Sequence, residues 1–289
     1  MGNHKLINSY PLAEVAPGVY EIDEFDCASA FLVVGADRAL LMDTGVGIGN
    51  LREAVERLTK GLPYDVVLTH AHYDHIGGAQ FFDKIYIHPL DCEGYAYPPK
   101  LEDRRGYAEF IRNRSGLQYP YDPVLDMPEW TRIPERLPLE DGMAFDLGGR
   151  TVTAYHCPGH TAGEMVLVDD RTRILFAGDA VNGLLLYDIS DVLGATRVVS
   201  VESAYKALRR IVDMKNFDCV YNFHHDFRPF GKPLPGEILT SVLTACEQLI
   251  SGQYRITNLP GMMPGYPPRT AIVVGPVTLC FREAWIHDA

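Results

Sequence analysis

The chain has 289 residues, 47% hydrophobic and 22% charged; this excludes a wholly disordered polymer and leaves room for one large or two small globular units. Its formal net charge of −12 repels phosphate backbones and anionic bilayers, so neither nucleic-acid nor membrane binding is expected. No apolar run approaches the ~20 residues that cross a bilayer, and the opening MGNHKLINSY lacks the apolar core of a secretion signal. Six cysteines form no CxxC pair, and with that start they predict a cytoplasmic protein with reduced, buried thiols.

In chain order, short strands are predicted at 18–22, 28–34 and 39–43, the last two separated by Gly35-Ala36-Asp37. Asn50 is placed to cap a helix over 51–58, which Gly61-Leu62-Pro63 stops. A buried strand follows at 65–69 and another at 85–88. Residues 91–136, rich in Tyr, Pro, Arg and Glu, read as an insertion with one helix near 102–114, and its aromatic side chains suit a lid or a dimer surface. Strands resume at 143–147, 151–156, 164–168 and 173–177; helices follow at 201–214 and 235–251, a strand at 218–223, and a hairpin over 271–282. The whole of 1–289 is read as one unit carrying that insertion.

Chemistry concentrates in Thr69-His70-Ala71-His72-Tyr73-Asp74-His75-Ile76-Gly77-Gly78, where four metal-ligand side chains fall within six residues. His70, His72 and Asp74 alternate, so extended backbone projects them to one side; His75 breaks the alternation, and the chain is expected to turn there. Pro158-Gly159-His160-Thr161, Ala177-Gly178-Asp179-Ala180 and Phe223-His224-His225-Asp226 follow later strands and offer further ligands. Cys157 lies beside the first of these segments.

This ordered set resembles the metallo-β-lactamase superfamily, over roughly 18–88 and 143–226, with Asp43-Thr44-Gly45 matching a further element of that family. The resemblance implies an α/β fold, the αββα four-layer sandwich, with a site at one sheet edge. It implies that His70, His72 and His160 hold one metal, that Asp74, His75 and a late histidine hold a second, and that Asp179 bridges them. The late ligand is His224 or His225, with His224 favoured, and Asp43 would orient a ligand histidine. The implied cofactors are two divalent ions, zinc first, with iron or manganese open. The implied activity is hydrolysis of a small ester, thioester, lactone or related bond by metal-bound hydroxide, with Asp74 or a metal-bound water as proton donor. Tyr187 follows Asp179 by eight residues and is a candidate oxyanion donor on that spacing.

Asp179 stands where many zinc β-lactamases carry a cysteine, which favours the branch resembling glyoxalase II and the lactonases. The alternatives are a phosphodiesterase and a mononuclear iron dioxygenase acting on a sulfur compound. The expected partner is a small-molecule substrate, and a homodimer is left open.

Overall fold

Short continuous apolar runs in the first part of the chain build a sheet with two apolar faces. In the computed structural model, which describes residues 5–95, 97–114, 118–190, 193–263 and 265–288, that sheet has seven strands in sequence order. They are β1 (Leu12–Ala16), β2 (Val19–Asp23), β3 (Ser29–Val34), β4 (Ala39–Met42), β5 (Tyr64–Val67), β6 (Lys84–Ile87) and β7 (Glu135–Pro138). The first four pair antiparallel and the last four pair parallel. Helix α1 (Leu51–Thr59) links β4 to β5, α2 (Tyr73–Ile76) follows β5, and α3 (Pro89–Gly94) and α4 (Leu101–Arg114) lie between β6 and β7.

The second sheet contains β8 (Ala144–Asp146), β9 (Thr151–His156), β10 (Met165–Asp169), β11 (Ile174–Phe176) and, after an intervening β12 (Leu184–Leu186), β13 (Cys219–Tyr221). Strands β9 and β11 are both antiparallel to β10, and β13 is parallel to β11, so β9, β11 and β13 run the same way. A third sheet joins β12 to β14 (Thr257–Leu259), β15 (Arg269–Val274) and β16 (Val277–Cys280), with α5 (Val201–Asp213) and α6 (Ile238–Ser251) completing the chain.

Side chains one residue apart on a strand enter different layers. Phe31, Val33, Leu40, Met42 and Val67 face Met165, Leu167, Ile174 and Phe176 between the first two sheets. Their neighbours Leu32, Leu41 and Val66 pack instead on Leu51 and Val55 of α1. On the far side, Val166, Val168 and Leu175 pack on Leu208 of α5 and Val242 of α6. Helix, sheet, sheet and helix are therefore stacked in that order, as the αββα expectation required.

Four differences from the sequence reading have local causes. Strands β1, β7, β12 and β14 were not foreseen: they are short, and β1, β7 and β14 carry exposed polar side chains without clean alternation. Short helix α3 was likewise missed. Asn50 precedes α1 but caps no backbone N–H; its Nδ2 instead donates to Glu53 Oε1 at 3.0 Å. The last helix starts at Ile238, three residues later than expected, because Pro235 forms a preceding turn whose carbonyl accepts Ile238 N–H.

Candidate metal centre

The chemistry-bearing loops leave the C-terminal ends of β4, β5, β9, β11 and β13, where open α/β sheets place ligands. Two bonds hold the sheets in register beside them: Met165 N–H donates to Thr69 O and Ser29 N–H to Phe223 O, each at 2.8 Å. The backbone is extended at His72, and α2 begins at Tyr73, so the chain turns two residues earlier than the alternation suggested. Gly77 and Gly78 let this turn settle on the loop after β4, since a Cβ there would lie 2.1 Å from Val46 O and 2.4 Å from Thr44 O.

Ring orientations are set by hydrogen bonds on the side away from the cluster. Thr69 Oγ1 donates to Asp43 Oδ2 at 2.7 Å, so it accepts from His70 Nδ1 at 3.0 Å. His160 Nδ1 donates to Leu186 O at 3.1 Å, and His72 Nε2 donates to the Tyr95 hydroxyl at 3.2 Å. With these protons assigned by partner, the opposite nitrogens carry lone pairs. They converge: His72 Nδ1 lies 3.1 Å from His70 Nε2 and 2.8 Å from His160 Nε2. Burial and the neighbouring imidazoles hold His70 and His72 well below the usual histidine range, so these rings are neutral.

The other half of the cluster is acidic. His224 Nε2 lies 3.4 Å from Asp179 Oδ2, 3.7 Å from Asp74 Oδ2 and 3.3 Å from His75 Nε2. Asp43 accepts from His75 Nδ1 at 2.8 Å and from Thr69 N–H at 2.6 Å, although its own backbone sits at φ 60, a position costly for a residue other than glycine. Burial alone would push His75 down, but Asp74, Asp179 and Asp43 outweigh it and raise it to about 9. Burial opposes ionisation of Asp179 too, and the surrounding His224, His75 and His160 outweigh it in the other direction. Asp179 Oδ1 is buried with no hydrogen-bond partner. Carboxylates that drive buried imidazoles to take up protons form a pocket that attracts cations.

Two carboxyl groups that sequence reasoning missed tie the loops together. Asp91 accepts from Ala71 N–H (2.9 Å), Thr161 Oγ1 (2.8 Å) and Gly163 N–H (2.6 Å), joining the His72 and His160 loops. Glu164 accepts Asp179 N–H at 3.0 Å and lies 3.6 Å from His70 Nδ1. Burial, then Asp179 and Asp91, raises its carboxyl well above the usual range.

Residues 25–224 match the profile of the metallo-beta-lactamase superfamily, over more than two thirds of the chain. The chain belongs to this superfamily. The human acyl-coenzyme A thioesterase MBLAC2 is 30% identical over 224 residues, spanning 71% of this chain and 74% of that protein. The Gallus gallus protein of the same name is 30% identical over 220 residues, with the same shares. Among solved structures, the metallo-beta-lactamase family protein TTHA1429 from Thermus thermophilus shares the fold, with a TM-score of 0.53, 20% identity and coverage of 84% of this chain and 85% of that one.

In this metallo-beta-lactamase superfamily hydrolase, His70, His72, Asp74, His75, His160, Asp179 and His224 come together from separate loops. His225 does not join them. Its Nε2 lies 2.7 Å from both Glu21 Oε1 and Ser29 Oγ, in a separate network with Asp23, Asp26 and Arg228. Tyr187, expected as an oxyanion donor, packs in the core beside Cys157, Ala204 and Cys246 and lines no part of the cavity at the cluster. Its place follows from β12, which ends at Leu186 and whose partner strand fixes the next residue through a bond from Tyr187 N–H to Cys280 O. Cys157 is buried, and its thiol is pushed up to about 12 by burial, so it is not a ready nucleophile. Tyr73, by contrast, does line the cavity.

Proposed function

We propose that the chain is a two-ion thioester hydrolase. His70, His72 and His160 would hold one divalent cation, Asp74, His75 and His224 a second, and Asp179 would stand between them. The observation that carries this reading is the convergence of three imidazole lone pairs, with His70 Nε2 and His160 Nε2 each within 3.1 Å of His72 Nδ1, beside a buried, partnerless Asp179 oxygen. Nitrogen and carboxylate donors in these numbers suit zinc. The thioester class rests on the names of the human and chicken relatives. Six free cysteines support a reducing compartment, and no helix among the described residues is long and apolar enough to cross a membrane.

Bound ions of this kind lower the pKa of water towards ~7 and polarise a carbonyl. The protein's own groups do the rest. Asp43, Thr69, Tyr95 and the Leu186 carbonyl hold ligand rings at fixed angles, which keeps the site preorganised. Asp74, in the cavity wall, holds at its carboxylate the proton taken from water and passes it to the leaving sulfur. In balance, water adds OH to the acyl carbon, the C–S bond breaks with its electron pair on sulfur, and sulfur gains the proton.

The test is thiol release from an acyl thioester panel by wild-type protein, by protein stripped with a chelator and resupplied with zinc, and by His72→Ala. Release that disappears on stripping, returns with zinc and is lost in His72→Ala supports the proposal. Release indifferent to stripping or to the substitution, or no release from any thioester, overturns it.

A further inference from the structure

Two cavities meet at the cluster, and their chemistry differs. The first, of about 80 Å³, runs from Asp74, Asp179 and His224 between α4 and β12. Phe110, Ile111, Leu184, Leu186 and Ile189 make its walls. Arg114, the one arginine or lysine among its described lining residues, is already engaged: Nη2 and Nη1 donate to Asp226 Oδ1 and Oδ2 at 2.6 and 3.0 Å. The second cavity is lined by Tyr95, Lys100, Glu102, Asp103 and Tyr266, a mixture of charges and phenols. His72, Tyr73 and Leu193 line both, so the two spaces adjoin at the edge of the cluster. One helix serves both: the first turn of α4 faces the second cavity, and its later turns face the first.

We propose that the first cavity takes the acyl chain of the substrate, as an uncharged hydrocarbon, and that the second takes its polar thiol arm. This deepens the thioesterase reading and rests on it. A hydrocarbon gains free energy from every methylene it withdraws from water, and the first cavity has the apolar walls for that. A charged acyl terminus would have to pull Arg114 away from Asp226 or lie unpaired among leucines, and both are costly. A hydrogen-bonding arm finds solvated charged donors and acceptors on the other side, where Lys100, Glu102 and Asp103 stay close to water. The scissile carbonyl then falls at the shared border, beside His72, with carbon chain and sulfur on opposite sides. The insertion helix α4 thereby becomes the element that sets specificity.

The experiment measures kcat/KM for acyl thioesters of coenzyme A and of N-acetylcysteamine, from acetyl to decanoyl, on the zinc-loaded protein. Each buried methylene should raise kcat/KM roughly fourfold until the cavity fills, the factor corresponding to about 0.8 kcal/mol. Leu184→Trp, which narrows the first cavity, should lower the decanoyl-to-acetyl ratio at least tenfold. Phe110→Ala, which widens it, should move the longest accepted chain in the opposite direction. Lys100→Ala should change the coenzyme A-to-N-acetylcysteamine ratio and leave the acyl ratio unmoved. The proposal is overturned if neither Leu184→Trp nor Phe110→Ala moves the acyl ratio, or if Lys100→Ala moves it as much as they do. Absence of thiol release from every wild-type assay would sink the thioesterase reading instead, and the same chain-length series on p-nitrophenyl esters would then decide the acyl cavity by itself.

Discussion

Two histidine-carboxylate clusters lie side by side in this chain, one reached through His224 and the other through His225. Around His225 the bonds close within the protein. Glu21 accepts from Arg228 Nη2 (2.6 Å), Ser29 Oγ (2.9 Å) and Gly231 N–H (3.0 Å), and Arg228 also donates to Asn222 Oδ1 (2.7 Å). Burial would raise Glu21, but His225 and Arg228 outweigh it and lower it to about 2, which is a paired carboxylate. Around His224 the bonds do not close, for nitrogens face nitrogens and an Asp179 oxygen has no partner. Residue types alone fail to separate an internal ion network from a metal centre. The partnerless Asp179 oxygen and the facing imidazole nitrogens make the His224 cluster the stronger cation site, although Asp23, Asp26 and His225 also offer donors.

The comparison is most sharply tested by removing one histidine from each cluster. His160→Ala should lower kcat/KM by about a thousandfold or more, the several kcal/mol that metal assistance is worth, and reduce bound metal. His225→Ala should keep the metal content of the wild type. Elemental analysis showing equal metal loss in both variants would erase the distinction.

Next in size is stability. Glu21 and Arg228 are both buried, so Glu21→Gln leaves a guanidinium without its counter-charge and should cost about 3–5 kcal/mol, read as a lowered Tm. A loss below about 1 kcal/mol would mean that the network is not internally closed.

A smaller effect is expected at Tyr95→Phe, which removes the acceptor of His72 Nε2. Zinc affinity should fall roughly 10–100-fold, measured by competition with a chelator, because partners of ligand rings contribute on that scale. Unchanged affinity would show that the ring needs no partner there.

A further test is in pH. Burial raises Asp23, beside His225, from 3.8 to about 6. The folded chain therefore holds this proton better than the unfolded chain. Its contribution to stability is full below about 3.8 and is lost as pH rises to about 6, with a slope of at most about 1.4 kcal/mol per unit. Asp23→Asn should remove that component from the difference between urea titrations at about pH 4 and about pH 7; an identical difference in both proteins would contradict the assignment.

The legible part of the site was the part local in sequence. His70, His72, Asp74 and His75 sit within six residues, and no ordinary surface loop needs that density of ligands. Asp91 was illegible because its role exists only when Ala71, Thr161 and Gly163 are brought to it from 20, 70 and 72 residues away. Tyr95 read as one aromatic among many in the insertion, and Glu164 as the start of a strand. Tyr187 failed for the opposite reason: its distance along the chain from Asp179 looked favourable, and the neighbouring strands turned it into the core.

Sequence by itself determined the layers and the chemistry, since continuous apolar runs commit each central strand to burial on two faces and clustered imidazoles commit a loop to cations. Tertiary structure alone chose between His224 and His225. Consecutive side chains on extended backbone leave in opposite directions, and His224 sits in such backbone (φ −131, ψ 140). Which direction meets Asp74 and Asp179, and which meets Glu21, depends on how β13 docks beside β11, a pairing between segments more than forty residues apart.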